Sequence, residues 1–204
     1  MKINTSARLL TIIIVGISFV LSGCFGRGEE DPWFSLHTRD ARIAQNWQLS
    51  KITGTVVNTI GGLTTNISYN YDGTNIFITT NGTTVSYGYS FEMNISDKGT
   101  VTSKETFTDP ANPNTVVITS TKTSYWFWAN DVKNKTTINL DLTGTFQPYP
   151  AYDIPRLAWN DMALLLDYTD NYQNIDPLTG VTTSTNTTVN LNIEFDVILP
   201  NSKN

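Results

Sequence analysis

Alternating apolar and polar residues are the dominant pattern of the chain after Trp47. The clearest run covers residues 85–95, in which every second residue is apolar and the residues between are serine, glycine, glutamate or asparagine. A second run covers 189–199, and shorter runs cover 138–142 and 67–71. Because successive side chains of a β-strand point to opposite faces, each run predicts a strand with one face toward a dry interior.

Turn-forming sequences separate these predicted strands. Asp72-Gly73 and Asn81-Gly82 predict tight hairpins, and longer turns are predicted at 96–99 and 109–114. Consecutive strands joined by such turns form an antiparallel meander, and closing the meander removes its two edges. The sequence therefore predicts an all-β fold, an antiparallel up-and-down β-barrel of about eight strands. The residues expected to point into this barrel are Tyr87, Tyr89, Phe91, Ile193 and Phe195.

A short helix is predicted before the first strand. Residues 36–46 place Leu36 and Ile43 seven positions apart, on one face of a helix. This is the one helix expected in the mature domain.

The N-terminus has the order of charge and hydrophobicity that is typical of a secretory signal peptide. Two cations, Lys2 and Arg8, precede an apolar run over 9–21. The run is too short to span a bilayer as a helix, which requires about 20 residues. It ends in Leu-Ser-Gly-Cys at 21–24, which resembles the bacterial lipobox. We expect Cys24 to carry a lipid anchor, which two or three acyl chains would make effectively permanent.

The chain is accordingly divided into three parts: a removed signal peptide (1–23), a lipidated acidic tether (24–32) and a barrel domain (33–204). The acidic cluster at 28–31 resembles the signal that exports lipoproteins of the Bacteroidota to the cell surface. Phe25 stands where an aspartate would favour retention in the inner membrane. We expect an outer-membrane lipoprotein at the cell surface, and the periplasmic face is the alternative.

Composition and charge narrow the classes of partner. Lys2 and Arg8 are two of the 13 basic residues, so the mature form has 11 basic against 18 acidic residues and a formal charge near −7. Such a surface repels phosphates, and nucleic acid is not an expected partner. Cys24 is the single cysteine, so no disulfide is expected in the mature protein.

Five short segments stand out for their residues: 31–36 (DPWFSL), 38–42 (TRDAR), 46–49 (NWQL), 154–157 (IPRL) and 164–166 (LLL). Together they resemble segments of the lipocalin-like lipoproteins of the Bacteroidota. In that family a short basic helix precedes a first strand that begins with Gly-x-Trp or a near variant, and Asn46 replaces the glycine here. The resemblance covers residues 31–199 and implies a calycin-type antiparallel barrel of about eight strands, with no implied reaction.

The sequence contains few residues that could carry out catalysis. His37, the single histidine, lies in the segment before the predicted strands, and no histidine or cysteine follows it, so the usual pairs of nucleophile and base are absent from the strands. Asp167, Asp170 and Asp176 lack the residue order of a calcium-binding EF-hand loop, and the acids of the tether cannot hold fixed separations. We therefore expect no enzyme activity, no cofactor and no metal site.

The aromatic segment Tyr125-Trp126-Phe127-Trp128 allows two interpretations. In a strand, the two tryptophans face one way and Tyr125 and Phe127 the other. One pair could fill the barrel while the other covers an outer seam. Alternatively, the rings line an apolar ligand cavity or a partner patch.

Two long connections, predicted at 145–156 and 170–188, exceed the two to five residues that are usual in hairpins. They are either tolerated insertions or binding loops. Three functions remain open: an accessory or binding module for an outer-membrane protein assembly, a carrier of a small hydrophobic ligand inside the barrel, and, with least support, an enzyme that uses carboxylates. For the first, the rings expected to contact the partner are Phe146, Tyr149, Tyr152 and Tyr172.

Overall fold

A computed structural model describes residues 37–109, 111–129, 135–146, 151–175, 179 and 182–198. These residues form ten antiparallel strands in a closed up-and-down barrel, preceded by one short helix. The predicted signal peptide, tether and lipidation site at Cys24 lie outside the described residues, and so does Tyr149.

The elements follow one another along the chain as α1 (Arg39–Ile43), β1 (Asn46–Ile60), β2 (Leu63–Tyr71), β3 (Asn75–Thr80), β4 (Thr83–Ile95), β5 (Thr100–Asp109), β6 (Asn112–Trp128), β7 (Thr137–Leu140), a 3-10 helix (Gly144–Phe146), β8 (Tyr152–Leu157), β9 (Asp161–Ile175) and β10 (Thr182–Val197).

The all-β class and the closed antiparallel barrel are confirmed, but the barrel has ten strands and not about eight. Residues 46–48 of β1 pair directly with 92–94 of β4, while 53–60 of β1 pair with β2. The hairpin of β2 and β3 is therefore inserted between β1 and β4 over part of their length. Eight strands surround the end where β1 and β4 meet, and the inserted hairpin adds the other two.

We name the two ends of the barrel by their elements. The helix end is the one where α1 lies, and the hairpin end is the opposite one, with the turns at 61–62 and 81–82. At the helix end, the guanidinium groups of the buried Arg39 and Arg42 donate to the backbone oxygens of Ile154 and Leu157 on β8. These two arginines hold the helix on the barrel.

The helix is shorter than the predicted span of 36–46. It begins after Thr38, whose Oγ1 accepts a hydrogen bond from the backbone nitrogen of Ala41 at 3.2 Å. Asn46 already belongs to β1, because Trp47 must enter the core. The Trp47 indole donates to the backbone oxygen of Ile43 at 2.9 Å and joins helix to barrel.

The predicted tight turns are confirmed at Asp72-Gly73 and Asn81-Gly82. Asn81 and Gly82 have φ of 48° and 87°, the left-handed values that a two-residue hairpin turn requires. The Asp72 carboxylate accepts hydrogen bonds from the backbone nitrogens of Thr74 and Asn75 at 2.9 and 2.7 Å. The turn at 96–99 is also present, whereas the turn predicted at 109–114 is shorter because β6 begins at Asn112.

The prediction of a long connection at 170–188 is wrong. Strand β9 continues to Ile175 and β10 starts at Thr182, and the two strands pair over their whole length. Threonine is β-branched and favours extended backbone, so the Thr-rich stretch forms strand where its polarity suggested a loop.

Candidate binding site

The predicted interior residues lie in the hydrophobic core or at its border. Tyr89, Phe91, Ile193 and Phe195 are buried, and Tyr87 is a partly buried residue that packs against them. Alternation along β4 and β10 thus identified the inward face correctly.

The four predicted partner-binding residues have different outcomes. Tyr152 is fully buried on β8 opposite Ile138, so its ring fills the core and is not presented to a partner. Tyr172 lies on β9, not in a loop, and 57% of it is exposed. Phe146 ends the 3-10 helix, and its side chain, like all of Tyr149, lies outside the described part of the chain.

The two faces of the aromatic segment of β6 are clearly different. Trp126 is buried, and the indole of the half-buried Trp128 donates to Asp40 Oδ1 at 2.7 Å. On the opposite face, Tyr125 is 73% exposed and Phe127 is also exposed. The tryptophans therefore belong to the barrel and helix, and the outer pair covers no seam in the described structure.

A buried carboxylate lies inside the barrel. Glu105 is on β5, is 2% exposed, and accepts hydrogen bonds at Oε1 from the Tyr89 hydroxyl at 2.7 Å and from the Thr145 backbone nitrogen at 3.0 Å. Burial, and then the negative charge of Glu105, raise the pKa of Tyr89 well above its ordinary value. The tyrosine therefore remains a hydrogen-bond donor to the carboxylate.

The segment after β7 crosses toward β5 and is fixed at this carboxylate. The backbone nitrogen of Thr143 donates to Ser103 Oγ at 3.1 Å, one inward position below Glu105 on the same strand. Gly144 has φ of 65°, and a Cβ at this position would overlap the Glu105 carboxylate. The buried residues Leu142 and Thr143 lie across the interior at this level, between the packed core of the helix end and the hairpin end. We call them the floor.

Aromatic rings extend from this floor toward the hairpin end. Tyr89 contacts Phe107 at 4.9 Å between ring centroids and Tyr71 at 5.8 Å. Phe107 meets Tyr87 edge to face at 5.8 Å. Burial decreases along this series, since Tyr71 and Tyr89 are buried while Tyr87 and Phe107 are only partly so.

Inward-facing apolar side chains become exposed farther toward the hairpin end. Ile118 pairs with Phe107 and therefore shares its inward face, yet it is 54% exposed. Val85 pairs with Ile78 on the inward side and is also exposed. Tyr172, opposite Thr185, faces the same way. The interior is filled at the helix end and open to solvent at the hairpin end.

Among the described residues, one side of the hairpin end is also open. Strands β7 and β8 stand between β6 and β9 in the strand order, but they pair with only 126–128 of β6 and 162–165 of β9. Within the described residues, 112–125 of β6 pair with β5 alone, and 169–175 of β9 pair with β10 alone. Two strand edges therefore border an opening that corresponds to two strand positions.

In the part of the chain that the structure describes, the β6 edge combines backbone groups that have no strand partner with exposed apolar side chains. A bulge at Val117 separates the pairs of Val116 and Ile118 with β5, and all three residues are exposed. Lys122 is the one charged residue of β6, and it forms an ion pair with Asp141. Natural proteins usually protect such edges with charges or proline, and this edge has little of that protection beyond Pro113.

Comparison with protein-family models, with curated proteins and with solved structures finds no match. Over the described residues, no helix is long and apolar enough to cross a membrane. The same residues contain no group of three or more His, Cys, Asp or Glu side chains arranged for a metal ion.

Proposed function

We propose that this chain is a non-enzymatic outer-membrane lipoprotein that serves as an accessory module and docks on an outer-membrane protein by accepting an extended segment along β6. The single observation that carries the proposal is the edge at 112–125, which pairs on one side only within the described residues and exposes Val116, Val117 and Ile118. An added strand would satisfy the backbone groups of this edge and cover its apolar side chains.

The direction of the backbone groups supports this mode of binding. The Trp126 backbone nitrogen donates to the Gly99 oxygen at 3.0 Å, toward β5. Because backbone groups alternate in direction along a strand, the N–H groups of Thr119, Thr121 and Thr123 point away from β5 and toward the open side. They form a regular row of donors, from which the backbone carbonyl groups of a partner strand can accept hydrogen bonds.

The open shape favours a protein partner over a small ligand. Pockets for small molecules usually enclose about 70–90% of the ligand surface. Here Ile118 and Tyr172 are more than half exposed at the border of a lateral opening. A segment of protein would fill that opening with its backbone and would place alternate side chains against the inward face.

The location follows from the N-terminal sequence. Cys24 closes a lipobox-like segment, and the acidic residues at 28–31 favour the cell surface over the periplasmic face. A closed antiparallel barrel after a short helix supports the resemblance to lipocalin-like lipoproteins. A lipid anchor would confine the domain near other membrane proteins at high effective concentration, so a weak contact would suffice for docking.

The proposal can be tested with two substitutions at one position. Thr121→Pro removes an N–H that faces the open side and leaves the hydrogen bonds to β5 in place, since proline is tolerated on edge strands. Thr121→Ala keeps the N–H and serves as the matched control. Tagged variants would be crosslinked in membranes and purified under mild conditions. A partner that is recovered with wild type and Thr121→Ala but lost with Thr121→Pro supports strand addition. Equal recovery with all three folded proteins rejects it.

The carrier of a small hydrophobic ligand remains a second candidate, because Tyr69, Tyr87 and Phe107 line the interior near the hairpin end and are only partly buried. Native mass spectrometry of protein purified from its own membrane separates the two functions. A stoichiometric lipid or pigment would favour the carrier, and a ligand-free mass would favour docking.

A further inference from the structure

Trp159 is exposed in the turn between β8 and β9, at the helix end. It is 52% exposed, and its ring stacks on His37 with 4.2 Å between centroids and an interplanar angle of 26°. The Gln45 side chain donates to the Trp159 backbone oxygen at 2.8 Å and to the Arg42 oxygen at 2.7 Å. The turn is therefore fixed to the segment that joins α1 to β1, and the exposed ring has a defined position.

The predicted anchor brings this ring close to the membrane. His37 is the first described residue, and 12 residues separate it from Cys24. The 13 steps from Cys24 to His37 reach at most about 47 Å when fully extended. Strand β1, with 15 residues, runs from the helix end toward the hairpin end over about 50 Å. The helix end, where the chain enters, is thus the end that a lipidated Cys24 keeps near the bilayer.

Two of the carboxylates near Trp159, Asp161 and Glu194, form ion pairs. Asp161 pairs with Arg156 Nε at 2.5 Å, and Glu194 pairs with Arg156 at 3.0 Å and with Lys51 at 3.0 Å. Farther along the same end, Asp40 pairs with Lys135. Asp196, opposite Asp161 on β10, is exposed and has no ion pair among the described residues, so the surface around the turn retains a carboxylate and suits zwitterionic rather than anionic headgroups.

We propose that Trp159, stacked on His37, is the contact of this domain with the lipid bilayer, so that the helix end rests on the headgroups and the hairpin end points away. An indole combines an apolar body with a polar N–H and prefers the boundary between headgroups and acyl chains. This inference rests on the proposed lipid anchor. It implies that the β6 edge meets its partner on parts of the assembly that extend beyond the membrane surface.

The test uses full-length lipidated protein in phosphatidylcholine vesicles that contain brominated acyl chains, which quench tryptophan fluorescence on contact. Wild type is compared with Trp159→Phe, and every other tryptophan, including Trp33, is present in both proteins. The positional control adds Tyr172→Trp to the Trp159→Phe protein, because Tyr172 is similarly exposed but lies toward the hairpin end. All variants are first checked for flotation with the vesicles.

We expect the Trp159→Phe protein to lose a quenched component of its tryptophan fluorescence. Adding Tyr172→Trp should restore no quenching. Protein that floats but shows equal quenching with and without Trp159 overturns the inference and leaves the lipid anchor intact. Strong quenching at position 172 also overturns it, because the hairpin end would then face the bilayer. Protein that does not float contradicts the anchor itself, and the membrane contact with it.

Discussion

The hydroxyl of Tyr89 and the carboxylate of Glu105 are joined by a 2.7 Å hydrogen bond inside the barrel, between side chains on the neighbouring strands β4 and β5. The same carboxylate oxygen accepts the Thr145 backbone N–H, so the pair also holds the segment that crosses from β7. The bond thus lies where the filled half of the barrel meets the open half. Removing this hydrogen bond should lower the stability of the fold more than it changes binding at the β6 edge.

Tyr89→Phe should lower the free energy of unfolding by about 2 kcal/mol, the usual range for a hydrogen bond to a charged group. Tyr87→Phe is the matched control, because Tyr87 lies two residues away on the same inward face and is only partly buried. We expect the control to change stability by less than about 0.5 kcal/mol. Urea denaturation followed by circular dichroism measures both. Equal losses in the two variants would contradict a specific role of the bond to Glu105.

Stability should fall at alkaline pH because of the same tyrosine. Burial and the charge of Glu105 raise the pKa of Tyr89 above its ordinary value of 10.0, so folded Tyr89 keeps its proton where unfolded Tyr89 loses it. The contribution is complete below pH 10 and is lost as pH rises from 10 through the raised folded pKa. Urea midpoints between pH 8 and 11 should decline, and the decline should be smaller in Tyr89→Phe. Parallel curves would show that Tyr89 is not responsible.

Gly144→Ala should be more harmful than an alanine at another left-handed glycine. At both Gly144 and Gly62 the positive φ disfavours alanine by about 1 kcal/mol. At Gly144 the new methyl group would also displace the Glu105 carboxylate from its bonds with Tyr89 and Thr145, at a further cost of about 2 kcal/mol. Gly62→Ala meets no atom within 4 Å. Thermal unfolding of the two variants compares them, and similar midpoints would mean that the carboxylate moves aside at little cost.

Lipidation is predicted from the sequence alone and can be measured directly. Cells that express wild type should incorporate radioactive palmitate into the protein, and Cys24→Ala should abolish the label. Cys24→Ser is a useful second variant because it retains the size of the side chain while removing the thiol that forms the thioether. Labelling that persists in either variant would place the acyl chains elsewhere or contradict the anchor.

Alternation predicted the wall of the barrel well, because a strand with one wet face must repeat every two residues. It identified Phe91 and Phe195 as core residues from their positions in long, regular runs. A strand was predicted at 67–71, within β2, and the hairpin turns at Asp72-Gly73 and Asn81-Gly82 implied a strand between them, but the count of about eight strands was too low. Short runs of this kind do not show whether a hairpin extends an existing sheet or is inserted between two other strands.

The site was less predictable than the fold. Tyr152 was expected in an exposed loop because it follows two prolines, but the alternation of Tyr152 with Ile154 was the signal for a strand with an inward face. Glu105 could have been found in the same way, since it shares the inward face of β5 with Val101 and Phe107. An open edge cannot be inferred from local pattern, because it depends on which distant strands are too short to cover it.

Amide hydrogen exchange can test whether the β6 edge is open in the isolated protein, with no partner present. In β6, the N–H groups of Ser120, Lys122 and Ser124 point toward β5, while those of Thr121 and Thr123 point to the open side. Amides of the first group should exchange slowly, since they open only when the β5 and β6 ladder breaks, and amides of the second group should exchange fast. Nuclear magnetic resonance resolves the two groups within one strand, so each serves as the control for the other. Slow exchange at Thr121 and Thr123 in the isolated protein would mean that the edge is already covered by the chain itself. In that case no strand could be added at β6, and the interior at the hairpin end would become the better candidate for binding.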